Sequence, residues 1–297
     1  MALRNLDNAF TRFFKQKKGF PKFKARHDPR QSCQFPQNIK IDWKTRKIYF
    51  PKIGWINIKL SKTFKGKIKT TTLSRTSTGK YFVSVLVETE EQMPVKPTIR
   101  EDQTVGIDLG IKSYIITSDG LKVNFPRFLR RSIARLKLLQ SRASKHPKGG
   151  FRRRKAFRKV ARLHEKIRNQ RHDWLHKLSS KLISENQTVC LEDLNVSGMV
   201  KNHCLTQSIS DCSWSTFVSF LEYKAEWYGK NIVKIGRFDP SSKMCSICGD
   251  INSKLELKHR KWKCNGCGTT HDRDVNAAIN IKKFALLRQN TGSGRPG

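Results

Sequence analysis

A single acid stands inside the apolar stretch Val105-Gly-Ile-Asp-Leu-Gly-Ile111. Val105, Ile107 and Leu109 alternate around it, which predicts a short, largely buried strand over 104–109. A carboxylate in such a strand is costly unless it is paired, hydrogen-bonded or bound to a metal. Gly106 and Gly110 permit close backbone approach and an abrupt turn. Residues 113–117 are apolar again, Ser118-Asp-Gly120 reads as a turn, and 121–125 as a third strand. Asp108 has two readings at this point: a turn cap at a strand end, or a metal ligand in a nucleotidyl-transfer site.

Two further acids recur in comparable settings. The buried-strand pattern Thr188-Val-Cys-Leu191 runs directly into Glu192. Asp274 stands at the start of a helix through Ile279, Ile281, Phe284 and Leu287, where a carboxylate is favourable, so simple capping is an alternative for it. One parallel-containing sheet brings strand ends together, and a packed helix adds the third acid. Asp108, Glu192 and Asp274 would then hold two Mg²⁺ ions, which take hard oxygen ligands. Two such ions, about 4 Å apart, activate water and stabilise the leaving oxygen in phosphodiester cleavage.

Four of the eight cysteines form Cys245-x-x-Cys248, fifteen residues, then Cys264-x-x-Cys267. This spacing predicts a four-thiolate tetrahedral Zn²⁺ site, with Gly249 and Gly268 giving the tight turn after each pair. Such a site is closed, hence structural and chemically separate from the carboxylates. Cys33, Cys190, Cys204 and Cys212 are scattered, which fits a reducing compartment better than a disulfide scaffold.

The formal net charge is +38 over 297 residues, and a polyanion partner would relieve the self-repulsion. Nucleic acid fits best, because there is neither an 18-residue apolar run nor a signal-peptide core to argue for a membrane. Residues 127–181 carry 20 Lys or Arg against Glu165 and Asp173. Pro147 and Gly149-Gly150 divide this region into two helices. The second has a packed face marked by Phe157, Val160, Ala161, His164, Ile167, Arg171, Leu175, Leu178 and Leu182, and an opposite basic face suited to phosphates.

Upstream, 5–15 reads as a helix with a Phe10, Phe13, Phe14 stripe. Phe20, Phe23 and the interleaved lysines either stack on bases or form a small core with a basic rim. Strands are predicted at 39–42, 47–50, 55–60, 66–73 and 80–88, the last two joined at Ser77-Thr-Gly79, giving one small twisted antiparallel sheet or partly open barrel. Pro94 and Pro97 mark a linker over 92–104. Residues 195–211 read as a loop, 214–227 as a helix ending at Gly229, 232–235 as a strand, and 290–297 as a frayed tail.

The Gly-Ile-Asp-Leu-Gly stretch, the Leu-Glu-Asp-Leu stretch, and four cysteines directly before Asp272-Arg-Asp-Val-Asn-Ala-Ala-Ile-Asn-Ile281 together resemble the TnpB family of insertion-sequence-encoded proteins. The resemblance covers about 5–290. It implies an RNA-guided DNA endonuclease, related to type V CRISPR effectors, whose guide RNA derives from the transposon end and whose DNA target is cut by one resolvase-like site. It implies an α+β chain: a wedge-like antiparallel β domain over 1–100, then a ribonuclease H-like α/β nuclease domain over 101–239. A zinc ribbon at 240–270 is inserted before the last nuclease helix, 271–290, and 291–297 form a flexible tail. It matches Asp108, Glu192 and Asp274 to the catalytic acids, with Asp272 a competitor for the last role.

Relatives usually begin with a basic strand and a further helical region ahead of residue 8, so that portion is expected to be missing here. The resemblance also implies a cytoplasmic bacterial or archaeal protein. Three other readings compete: a DNA- and RNA-binding transposition accessory without cleavage, a structural ribbon protein of a ribonucleoprotein, and a DNA-joining transposase.

Overall fold

The computed structural model describes residues 2–17, 19–22, 25, 28, 31–199, 206–237, 239–256 and 258–290. Phe23, Cys204 and the tail 291–297 lie outside the described residues. The chain divides into two compact units, residues 1–92 with 139–163, and 93–138 with 164–297.

The first unit opens with α1 (Ala2–Gln16). Its Phe10 and Phe13 meet Phe20 edge-on, with ring centroids 5.8 and 5.4 Å apart, so these rings pack on one another. Six strands follow: β1 (Gln31–Phe35), β2 (Lys40–Asp42), β3 (Lys47–Phe50), β4 (Gly54–Asn57), β5 (Lys67–Arg75) and β6 (Tyr81–Glu88). They form two antiparallel sheets, β1-β5-β6 and β2-β3-β4, where one sheet or a partly open barrel is expected. The β2-β3-β4 meander closes locally. Asp42 Oδ1 accepts from the backbone N–H of Lys44 and Thr45, which fixes the first turn. β1 instead pairs with a distant partner, Gln31 opposite Arg75, and its polar sequence gives no alternation to announce this. Residues 139–163 carry the turn between two helices, α2 (Phe128–Ser144) and α3 (Phe151–Glu185). Arg153 Nη1 fastens that turn by donating to the carbonyls of Ser144 and His146.

The second unit is built on a five-stranded sheet. Its strands are β7 (Thr104–Leu109), β8 (Ile115–Thr117), β9 (Lys122–Val123), β10 (Thr188–Glu192) and β11 (Asn231–Ile235), in the order β11-β10-β7-β8-β9. β7, β10 and β11 are parallel, while β8 and β9 run back by tight antiparallel turns. Between β10 and β11 lie two short helices, α4 (Val196–Met199) and α5 (Thr206–Cys212), then α6 (Trp214–Tyr228). The two short helices replace much of the loop expected over 195–211. Gly229 ends α6 in the left-handed conformation, φ 60°.

Alternation along β7 and β10 sends side chains to two different layers. Val105, Ile107, Val189 and Leu191 join a core with Leu175 and Leu182 of α3 and Phe217 and Leu221 of α6. Gly106, Asp108, Cys190 and Glu192 alternate with them, and Cys190 packs with Ile281 and Ala285 of the last helix, α7 (Arg273–Asn290). The sheet is therefore covered on both faces. Before α7 the chain forms the cysteine-bearing segment, whose short strands β12 (Lys261–Lys263) and β13 (Thr270–Asp272) pair antiparallel.

Candidate functional site

The parallel pairing of β7 and β10 runs from Thr104 opposite Thr188 to Ile107 opposite Leu191. One step further along lie Asp108 and Glu192, neighbours at the carboxyl ends of adjacent parallel strands. Their parity places both on the sheet face that α7 covers.

α7 approaches β7 closely because Gly106 has no side chain. A Cβ built there would lie 2.1 Å from the Ala278 carbonyl oxygen and 2.8 Å from the Lys282 nitrogen. The face of α7 is small for the same reason: Ala277, Ala278, Ile281 and Ala285 are buried, while Leu287 is exposed. Asp274 stands four residues before Ala278, one turn up the same stripe of the helix. The close contact at Gly106 thus carries Asp274 toward the end of β7, where Asp108 sits.

The electrostatics agree with this convergence. Asp108 is half-buried, and its pKa is pushed up to about 7. Burial is the largest cause, followed by the negative charges of Glu192 and Asp274, against a smaller opposing pull from Arg273. Glu192 Oε1 accepts a 2.5 Å hydrogen bond from Ser241 Oγ. Asp274 is approached by Arg260, whose Nη1 lies 3.4 Å from Oδ1.

Asp272 has a different job. Its Oδ1 accepts from the backbone N–H groups of Asp274 and Val275, each at 3.2 Å, and Lys122 Nζ donates to Oδ2 at 2.6 Å. Burial alone would raise its pKa, but the Lys122 ammonium and these backbone donors hold it below the usual carboxylate range. Asp272 is the cap of α7, which leaves Asp274 free of that duty.

The four ribbon cysteines converge too. Their sulfurs all lie within 4.8 Å of one another, and among the described residues no other group of three or more His, Cys, Asp or Glu side chains is gathered so tightly. The three carboxylates are thus neighbours at a wider spacing. Four sulfurs at this distance cannot all ionise unless a cation sits among them. Cys267 is drawn down to about 6, chiefly by Thr269, whereas Cys248 is pushed up to about 12 by neighbouring thiols despite the Asp250 backbone N–H. His271 Nε2 lies 3.0 Å from Cys245 Sγ, placed to donate to a thiolate. This donor set fits a tetrahedral metal of the zinc type.

Sequence reasoning missed Ser241, Arg260 and His271. Only their nearness in sequence to the cysteines and acids hints at them, and the folded ribbon is what brings them in. The Arg171 assigned to a packed face is indeed enclosed, but by charge. It donates to Asp211 Oδ1 at 2.7 Å and to Ser213 Oγ at 3.1 Å, while Asp211 also accepts from the Leu129 N–H at the start of α2. In the first unit, Arg142, Arg152, Lys155 and Lys159, with His146, Leu139 and Ala156, line a groove of about 290 Å³.

The family described as "Cas12f1-like, TNB domain" matches residues 214–281, and the one described as "Probable transposase" matches 83–203. Two relatives are named "Putative RNA-guided DNA endonuclease". The one from Streptomyces pristinaespiralis is 42% identical over 296 residues, covering 99% of this chain and 72% of its own. The other, InsQ of Escherichia coli K12, is 31% identical over 295 residues, covering 94% and 72%. A solved Cas12f1–sgRNA–target DNA complex superposes with a TM-score of 0.58 at 16% identity, over 94% of this chain and 69% of that one, a likeness of fold. The fold is an α/β arrangement of sheets flanked by helices, with a cysteine cluster able to hold a metal. The chain belongs to the TnpB/Cas12f1-like family of RNA-guided, transposon-encoded nucleases.

Proposed function

We propose that the protein is an RNA-guided DNA endonuclease of a transposon, acting in the cytoplasm of a bacterial or archaeal host. Asp108, Glu192 and Asp274 would be its catalytic carboxylates. One observation carries the reading: Asp108 and Glu192 end adjacent parallel strands on the face where α7, seated on Gly106, presents Asp274. The order β11-β10-β7-β8-β9, with the first two parallel to β7, supports a ribonuclease H-like sheet. Residues 101–239 and 271–290 would form that nuclease domain, 240–270 the zinc ribbon, and 1–100 the wedge-like domain.

The oxygen donors and the unrelieved repulsion at Asp108 fit divalent magnesium. When bound, two Mg²⁺ ions supply water activation and stabilisation of the leaving oxygen in phosphodiester hydrolysis. The chain's own residues prepare for this. Ser241 orients Glu192 through its hydroxyl, Asp272 fixes the first turn of α7, and Arg260 and Arg273 balance the acidic charge. Cys245, Cys248, Cys264 and Cys267 would hold structural Zn²⁺. The basic faces of α2 and α3, with the groove beside Arg152, would take the phosphates of guide RNA and DNA target.

The relatives named as RNA-guided endonucleases and the fold likeness to a guide–target complex support the same assignment. The test is cleavage of a randomised-flank plasmid by protein with its transposon-end RNA in Mg²⁺, beside Asp108→Ala. Cuts that vanish in the variant are expected. RNA and target binding with no cuts under any metal would favour a transposition accessory instead, and joined DNA products would favour a transposase.

A further inference from the structure

α7 buries two asparagines, Asn276 and Asn280, at 1% and 0% exposure, in the middle of an otherwise alanine-rich face. Amides in such a place are costly unless hydrogen-bonded. Their partners lie on one short piece of chain. Asn276 Oδ1 accepts from the Ser246 N–H at 2.9 Å, and Asn276 Nδ2 donates to the Met244 carbonyl at 2.7 Å. Those two peptide groups flank Cys245. Asn280 Nδ2 donates to the same Met244 carbonyl at 2.6 Å and to the Ser241 carbonyl at 2.8 Å. Ser241 is the residue whose hydroxyl holds Glu192. From the other side, His271 reaches Cys245 Sγ, and Asp272 next to it caps α7.

Hydrogen bonds linked by short covalent segments therefore join the backbone around Cys245 to Asp274 and Glu192. One branch runs Cys245, Asn276, α7, Asp274. The other runs Met244, Asn280, Ser241, Glu192. Both asparagines belong to α7, so the clamp ties the ribbon to the helix that carries Asp274.

We propose that Asn276 and Asn280 are positioning residues that couple metal occupancy of the four-thiolate site to the placement of Asp274 and Glu192. Filling the thiolate site fixes the backbone on both sides of Cys245. The asparagine clamps pass that fixed geometry to the first turn of α7 and to Ser241. The inference rests on the carboxylate-site reading above for its functional meaning, and on the clamp geometry alone for the coupling.

The test uses the full chain loaded with one equivalent of Zn²⁺, and reads Mn²⁺ affinity by electron paramagnetic resonance, with Asp108→Ala as the control for the carboxylate site. Asn276→Leu keeps the branched shape and removes both hydrogen bonds. It is expected to retain Zn²⁺, and to retain the tetrathiolate absorption spectrum on Co²⁺ replacement, yet to weaken Mn²⁺ binding by about tenfold or more, the range seen when groups supporting metal ligands are lost. Withdrawing Zn²⁺ from the wild-type chain is expected to weaken Mn²⁺ binding similarly and to speed amide exchange over 273–277. In Asn276→Leu, withdrawal should add little to either effect. Ser241→Ala, a gentler change should the leucine variant not fold, should weaken Mn²⁺ binding with Zn²⁺ retained.

The proposal is overturned if Zn²⁺ withdrawal leaves both Mn²⁺ affinity and exchange over 273–277 unchanged, or if it shifts them equally in wild type and Asn276→Leu. Mn²⁺ binding that is the same in Asp108→Ala as in wild type would instead sink the carboxylate-site reading. The exchange measurement would still decide the coupling.

Discussion

The Asp272 carboxylate accepts the backbone N–H of Asp274, so one acid of the Asp-Arg-Asp segment holds the helix that presents the other. This separates two residues that the sequence leaves as rivals. Asp272→Ala should cost about 1 kcal/mol of folding stability, the usual loss of a helix cap. Asp272→Asn keeps the capping oxygen and should cost less. Asp274→Asn should leave stability nearly unchanged, because it removes no cap and relieves repulsion at Asp108. Urea denaturation of the three variants checks the order.

Gly106→Ala should destabilise the second unit and disturb its site together. The new methyl would meet the Ala278 carbonyl oxygen at 2.1 Å, and backbone cannot swing aside as a flexible side chain does. A loss of about 1–3 kcal/mol is expected, typical of overpacking, with cleavage falling further than the stability loss explains. Denaturant midpoints and cleavage rates on the same preparation measure both.

The raised pKa of Asp108 makes stability of the metal-free protein depend on pH with a definite sign. Between the ordinary aspartate value and about 7, the folded state keeps a proton that the unfolded state releases. Stability therefore falls as pH rises through that window, and the full cost is present above about 7. Asp108→Asn removes this titration. Its gain in Tm should be near zero at pH 4 and largest at pH 8, and Mg²⁺ should shrink the gain at pH 8 by relieving the repulsion in the wild type. A gain independent of pH would contradict the assignment.

Asp211 is a structural counterpart to the site acids. It lies 5% exposed, pairs with Arg171, and accepts from the first turn of α2. Asp211→Ala would leave the enclosed guanidinium without its carboxylate, and should cost about 3–5 kcal/mol. Asp211→Asn should cost less because a capping oxygen remains. Thermal unfolding of the two variants distinguishes them.

Much of this architecture is legible in the sequence where a local pattern has one physical solution. The alternation of Val105 and Ile107 with Gly106 and Asp108 predicts a strand with two different faces, and β7 has them. Two Cys-x-x-Cys pairs predict four sulfurs at one point, and they meet there. Pro147 and the two glycines after it predict the break between α2 and α3.

What stays hidden depends on distant partners. The polar strand β1 has no pattern of its own and is ordered by β5. Leu287 is apolar yet exposed, because α7 needs small residues where it crosses Gly106, and its buried face is built mainly from alanine and asparagine with Ile281. Arg171 sits at helical spacing among apolar residues because Asp211, forty positions away, neutralises it. The Ser241–Glu192 bond likewise joins residues 49 positions apart.

The central claim is that Asp108, Glu192 and Asp274 hold divalent metal while Asp272 does not. Mn²⁺ binding followed by electron paramagnetic resonance at pH 8, on zinc-loaded protein, measures this directly. The account predicts that Asp108→Ala, Glu192→Ala and Asp274→Ala each abolish the tightly bound signal, and that Asp272→Asn preserves it. A signal that survives Asp108→Ala, or that disappears in Asp272→Asn while the protein remains folded, would contradict it.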